Sequence, residues 1–289
     1  GVFSDKNVGT GKTVTITSSY SGSDVSNYSV TDQSSTTANI TAKSLTVSGV
    51  TASDKIYDGS VTATMDGTAA VYSGLVSGDT FDGSYTGVFS NANVGTGKTV
   101  TITPSYSGAD VNNYTVTNQS STTAHITAKA LTATASTANK TYDGGTTATT
   151  TLTFTGLVGS ETLGQTVGST FDNKNVGSNK TVTVNSITLA DGSNGGLAAN
   201  YSISAGQTTT ANITQKALTV SGITASNKTY DGSTNVTLTG AAVYSGLLSG
   251  DTFNGTYTGA FSDKNAGVGK TVTITSSYSG SDVSNYSVT

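Results

Sequence analysis

Along this chain apolar and polar residues alternate in short stretches rather than recurring at helical spacing. In Thr99-Val100-Thr101-Ile102-Thr103, Val100 and Ile102 fall on one face of a pleat and the threonines on the other. Leu45 and Val47 flank Thr46 in the same way, and Tyr114 and Val116 alternate with Thr115 and Thr117. β-Branched threonine suits the half-exposed positions of a sheet. Each stretch predicts a half-buried antiparallel strand, bounded by Gly, Asn and Asp turn residues.

The strands come in repeating sets. Tyr57-Asp58-Gly59, Tyr142-Asp143-Gly144 and Tyr230-Asp231-Gly232 lie 85 and 88 positions apart. A second landmark, Asn-Val/Ala-Gly, starts at Asn7, Asn93, Asn175 and Asn265, and runs through a lysine into a Thr/Val strand. A third, Asn-Tyr, sits at Asn27, Asn113, Asn200 and Asn285. Boundaries after the Ala-x-Ile-Thr segments give a C-terminal part of a repeat at 1–41, complete repeats at 42–127 and 128–214, and a nearly complete repeat at 215–289 that stops before its last strand. Residues 1–31 match 259–289 except at Val2/Ala260, Val8/Ala266 and Thr10/Val268, which points to a window on a longer array.

Six or seven strands per repeat, with turns every ten residues or so, predict an all-β chain: a tandem array of small antiparallel β-sandwich (Ig-like) domains stacked end to end. Units resembling a β-grasp, with a short helix near Gly74 to Thr80, are the alternative. The joints Ile40 to Leu45, Ile126 to Leu131 and Ile213 to Leu218 contain no Gly or Pro, so they read as short and stiff.

Composition narrows the functional classes. Only 10% of the 289 residues are charged, against roughly 25% in an ordinary domain, and all thirteen cations are lysines dispersed in a chain of net charge −4. Nucleic-acid binding is therefore not expected. No window approaches the ~18 consecutive apolar residues of a membrane helix. Hydrophobic residues nevertheless reach 34%, with one proline and fourteen tyrosines recurring in register, so the chain should fold.

Candidate chemistry is sparse. Gly11-Lys12-Thr13 has the ending of a phosphate-binding loop, but Lys6 and Ala92 stand where its first glycine belongs, a strand follows, and the third copy reads Asn179-Lys180-Thr181. A tight turn feeding a strand is the better reading. His125, the only histidine, is replaced by Asn39 and Asn212 in the other copies, so the fold does not require it. With one glutamate (Glu161), no cysteine and turn-bound aspartates, no acid–base dyad, thiol nucleophile or metal cluster can be assembled, and no enzyme, cofactor or metal is expected. Asp79, Asp82 and Asp251 are isolated acids rather than a calcium loop.

Asp-Gly in the Tyr-Asp-Gly element supplies a tight turn, while the tyrosine buries its ring and hydrogen-bonds backbone through its hydroxyl. Tyr57, Asp58, Gly59, Tyr142, Asp143, Gly144, Tyr230, Asp231 and Gly232 are thus structural. Lys55, Lys140 and Lys228 share a strand face with these tyrosines. A sharper reading makes Lys43, Lys129 and Lys216, or Lys98, Lys180 and Lys270, partners of Asn113 and Asn200 in Lys–Asn isopeptide cross-links. That bond needs a buried pair and a catalytic acid; the ordinary reading is solvated lysines.

The series Lys-x-Tyr-Asp-Gly, Gly74-Leu75-Val76-Ser77-Gly78-Asp79-Thr80-Phe81, Asn-Val-Gly-x-Gly-Lys and Asn-Tyr-x-Val resembles the YDG-type (MBG-like) repeat domains of filamentous-haemagglutinin-like bacterial surface adhesins. The third unit departs from it, with Gly159-Ser160-Glu161-Thr162-Leu163 and an inserted Asp191-Gly192-Ser193-Asn194-Gly195-Gly196 that is expected to widen one tip. What the resemblance implies is an extracellular stalk or fibre at the bacterial cell surface whose partners are neighbouring repeats. Other copies of the fibre, recruited along a free strand edge, or an extracellular polysaccharide held weakly at many sites are the alternative partners.

Overall fold

The computed structural model describes residues 1–289. The alternation read from the sequence is realised in repeat 42–127, where strand Gly95–Ser107 buries Val100 and Ile102 and exposes Thr99, Thr101 and Thr103. This strand is central to a five-stranded sheet ordered Lys55–Ile56, Ser121–Thr127, Gly95–Ser107, Asp82–Phe89 and Thr62–Ala63. A second sheet places Lys43–Ser48 between Tyr114–Thr117 and Val71–Ser73. Between the sheets lie Leu45, Val47, Val50, Phe81, Ile102 and Tyr114. Phe81 meets Tyr72, Tyr106 and Tyr114 at ring-centroid distances of 5.1–5.8 Å. Such tilted and edge-on contacts suit the ring quadrupoles.

The chain is all-β, and its sheets are mixed rather than purely antiparallel. Tyr114–Thr117 runs parallel to Lys43–Ser48, and Ile126 and Thr127 run parallel to Lys55 and Ile56. A parallel pair needs a long crossover, and the 82–107 hairpin lies within both connections. No helix forms over Gly74 to Thr80: Gly74 and Gly78 both take positive φ (103° and 91°), which an α-helix excludes. The helical turns are short 3₁₀ segments, among them Val111–Asn113, Ala198–Asn200 and Val283–Asn285, each delivering an Asn-Tyr pair. No helix is long and apolar enough to cross a membrane.

Two compact units are present, one formed by 1–129 with 199–201 and the other by 130–198 with 202–289. At the joints strand follows strand closely: Ser35–Ile40 precedes Lys43–Ser48, Ser121–Thr127 precedes Lys129–Ala130, and Thr208–Thr214 precedes Lys216–Ser221.

Candidate functional site: the joint between successive repeats

The Asn-Tyr landmark and the Asn-Val-Gly loop belong together in space. In the first unit the N–H of Val8 donates to Oδ1 of Asn113 at 2.9 Å, and the Asn113 amide donates to Oδ1 of Asn7 at 3.2 Å. Asn200 holds Val94 (2.9 Å) and Asn93 (3.1 Å) in the same way. In the second unit Asn285 holds Val176 (2.9 Å) and Asn175 (3.3 Å). Each carboxamide uses both ends, one as acceptor and one as donor, on the loop of the preceding repeat. Asn200 and Asn285 are each only 1% exposed. A buried amide of this kind is stable only while both ends are met.

A lysine reinforces the clasp where the sequence provides one. Lys6 bridges Asp79 (2.9 Å) and Asp110 (2.8 Å) of the following repeat. Lys174 bridges Asp251 (3.1 Å) and Asp282 (3.0 Å). The acids are fixed from the other side: Asp110 accepts the N–H of Thr80, Asp282 that of Thr252, Asp79 the hydroxyl of Tyr114, and Asp251 those of Tyr286 and Tyr142. The Thr252 N–H, then Lys174 and Ser281, hold the Asp282 carboxyl down at about 2. Burial pushes Asp251 up, but hydrogen bonds from Tyr286, Lys174 and Tyr142 outweigh it and leave its pKa lowered. Lys174 is raised by Tyr142, Asp282 and Asp251, and Lys6 by Asp110 and Asp79. Burial, then the hydrogen bond to Asp251, lifts Tyr286 to about 12.

Two of the Tyr-Asp-Gly tyrosines, Tyr57 and Tyr142, also face a joint. Tyr142 is 1% exposed, stacks edge-on against Tyr286 of the next repeat at 5.6 Å, and donates to Asp251 at 2.9 Å, so its hydroxyl meets a carboxylate and not the backbone expected from the sequence. Tyr57 is 4% exposed and meets Tyr201 edge-on at 5.4 Å, whereas Tyr230 is 61% exposed. Asp58, Asp143 and Asp231 work within their own turns. Each receives the amine of the lysine three positions earlier, Lys55, Lys140 or Lys228, at 2.7–2.9 Å. Each also accepts a backbone N–H two positions on, and Gly59, Gly144 and Gly232 take φ of 77°. The lysines are thus turned inward, with Nζ 5.5–5.7 Å from the ring centres of Phe89, Phe171 and Phe261.

The Gly-Lys-Thr element is a loop closure. Lys98 bonds Asn91 (2.6 Å), Lys180 bonds Asp172 (2.9 Å) and Asn173 (2.8 Å), and Lys12 and Lys270 pair with Asp5 and Asp263. The residue before the lysine has positive φ in every copy: Gly11 63°, Gly97 58°, Asn179 53° and Gly269 65°. Asparagine is among the few other residues that tolerate this region, which explains how the third copy loses its glycine. His125 accepts the Gly97 N–H through Nδ1 at 3.0 Å, where Asn39 and Asn212 accept from Gly11 and Asn179 at 2.8 Å.

For the isopeptide candidates, Asn113 and Asn200 spend their carboxamides on the clasp, and Lys98, Lys180 and Lys270 bond the loop acids and amides just described. Lys43 and Lys216 open strands in register with Tyr114 and Tyr286, and Lys129 opens Lys129–Ala130. No group of three or more His, Cys, Asp or Glu is placed to hold a metal ion. Sequence reasoning missed Lys6, Lys174, Asp110 and Asp282. Their signal was a joint change between repeats: the copy with Ala92 at the lysine position is followed by a repeat with Leu197 at the aspartate position.

The YDG domain model matches three successive segments, residues 41–124, 127–211 and 214–289. Searches of the curated proteins and of the solved structures gave no match.

Proposed function

The chain belongs to the YDG domain family, and on that premise we propose that it is a structural stalk or fibre segment of a secreted bacterial adhesin. In this reading no residue reacts. The repeats space an adhesive tip from the cell surface, or assemble into an extracellular biofilm filament, and reach is set by copy number. The observation that carries the reading is the packing at the joint of the second unit. Tyr142, Phe171, Val182 and Ile213 of one repeat and Leu218, Phe253 and Tyr286 of the next form one buried cluster. Each fully buried large side chain contributes about 1.5–3 kcal/mol, so a joint of this kind resists bending as a flexible linker cannot.

The test is cell display of arrays of two, four and six of these repeats carrying a terminal peptide tag. A spacer lifts the tag progressively clear of the surface polysaccharide, so antibody access rises with repeat number. Access independent of repeat number would overturn the reading.

A further inference from the structure

A covalent chain passes tension into a folded repeat through its first segment and out through its last, so the ties between those two segments decide how the repeat responds to a pull. In repeat 42–127 the two segments run side by side in the same direction and are tied at three stations. Lys43 to Thr46 pair in parallel with Tyr114 to Thr117. Further along, the Gln119 carboxamide grips the main chain of Val50, its Oε1 accepting the Val50 N–H at 2.9 Å and its Nε2 donating to the Val50 carbonyl at 2.7 Å. Lys55 and Ile56 then pair in parallel with Ile126 and Thr127, and the Tyr57 N–H donates to the Thr127 carbonyl at 2.8 Å. Partners stand 69 to 71 positions apart at every station, so the segments keep nearly one register from end to end.

The direction of the pull decides the consequence. Two parallel segments drawn from opposite ends slide along one another, and hydrogen bonds lying across the sliding direction must yield together. Drawn apart at the same end, they open one bond at a time. Tension that enters at Lys43 and leaves at Thr127 is of the first kind, and forced unfolding is governed by the unfolding barrier rather than by equilibrium stability. We propose that repeat 42–127 is a tension-bearing element, with its first and last segments clamped in shear and Gln119 as the central tie. Both segments are also held on their other edges, Ser121–Thr127 by Gly95–Ser107 and Lys43–Ser48 by Val71–Ser73. Leu45, Val47, Ala124 and Ile126 are buried, so a slip of one residue would turn these side chains out of the core.

Repeat 128–214 keeps the outer stations and lacks the central one. Lys129–Ala130 pairs with Tyr201–Ser202, and Lys140 and Thr141 run parallel to Ile213 and Thr214. Between these stations the run from Lys129 to Lys140 is one residue shorter than that from Lys43 to Lys55, and the run from Tyr201 to Gln207 is one residue longer than that from Tyr114 to Gln119. Register is lost there. Gln207 donates to the Ser204 carbonyl at 2.9 Å, its buried Oε1 accepts no hydrogen bond, and a cavity of about 540 Å³ lies between Leu131 to Ala133 and Ser202 to Gln207. Gln119 and Gln207 thus occupy one position of the repeat with and without the tie.

The test is single-molecule force spectroscopy of the 289-residue chain, which has no cysteine of its own, so handles attach only at introduced ones. Handles at Ala42→Cys and Ala128→Cys shear repeat 42–127, whereas handles at Ala42→Cys and Thr115→Cys peel it. The shearing pair should show the higher unfolding force. Gln119→Ala removes two hydrogen bonds and should raise the unfolding rate at a fixed shearing load by about tenfold. It should leave the peeling force unshifted, because the peel parts Lys43 from Tyr114 before it reaches Val50; a variant that merely destabilised the fold would weaken both directions alike. Gln207→Ala, held between Ala128→Cys and Gln215→Cys, should not lower the force of its repeat. Equal forces in the two directions, a Gln119→Ala effect that is the same in both, or a Gln207→Ala loss as large as that of Gln119→Ala would overturn the proposal. A spacer need carry no tension, so any of these results would leave the spacer reading standing.

Discussion

Thr80, Thr162 and Thr252 occupy the same turn in three successive repeats, and their N–H groups are met in two ways. In repeats 42–127 and 215–289 the acceptor is an aspartate, Asp110 at 2.9 Å or Asp282 at 3.0 Å. In repeat 128–214 the aspartate position is Leu197, and the Thr162 N–H donates to the Ser193 carbonyl of the inserted loop at 3.2 Å. Hydroxyls of Thr162 and Ser193 add a bond at 2.8 Å, and Ser193 N–H donates back to Thr162 at 2.8 Å. The insertion therefore folds down onto the turn rather than widening the tip. A turn amide must find a partner, but the choice of partner has consequences. The carboxylate of Asp110 or Asp282 also pairs with the lysine of the preceding repeat, whereas in repeat 128–214 the Thr162 N–H is met by a neutral carbonyl, and the preceding repeat carries Ala92 in place of that lysine.

The comparison can be broken most severely at the asparagine it leaves untouched. Asn285→Ala removes the partner of both the Val176 N–H and Asn175 Oδ1 in a buried site, and is expected to lower unfolding free energy of the second unit by about 3 kcal/mol, read from urea midpoints. The loop solution should fail next. Gly192 and Gly196 approach the Thr162 carbonyl so closely that an added Cβ would sit 2.1 and 2.0 Å from its oxygen. Gly192→Ala is therefore expected to cost about 2 kcal/mol in the same assay, and should open the Thr162 amide to hydrogen exchange.

Acid separates the two solutions more gently. The Asp282 pKa is lowered from 3.8 to about 2 on folding, so its stabilising contribution is complete above pH about 4 and is lost as pH falls through about 2. Protection of the Thr252 amide should decline across that window while that of Thr162, held by a carbonyl, should not. The smallest effect is expected at His125→Asn, which installs the acceptor that Asn39 and Asn212 already provide. It should change stability by less than about 0.5 kcal/mol in thermal unfolding.

Much of the fold was legible because burial in a sheet imprints a period of two on the sequence. Val100, Ile102, Leu45 and Val47 all lie on the faces that alternation assigned to them. Parallel pairing at Lys55–Ile56 was not legible, since two-residue strands carry no pattern and parallel partners lie far apart in sequence. The joint was half legible. Asn113 and Asn200 recurred plainly, but an asparagine before a tyrosine gives no sign of which loop it will hold. Lys6 and Lys174 looked like ordinary surface lysines, and only their joint disappearance with the matching aspartate marked them as paired.

The central claim is that within each unit an asparagine clasp holds the Asn-Val-Gly loop of one repeat against the next. It is tested most directly by hydrogen exchange of the Val8, Val94 and Val176 amides, with and without Asn113→Ala, Asn200→Ala and Asn285→Ala. The account predicts protection of each amide with its clasp intact and rapid exchange without it. Identical protection in both chains, or amides that exchange freely with every clasp in place, would contradict it.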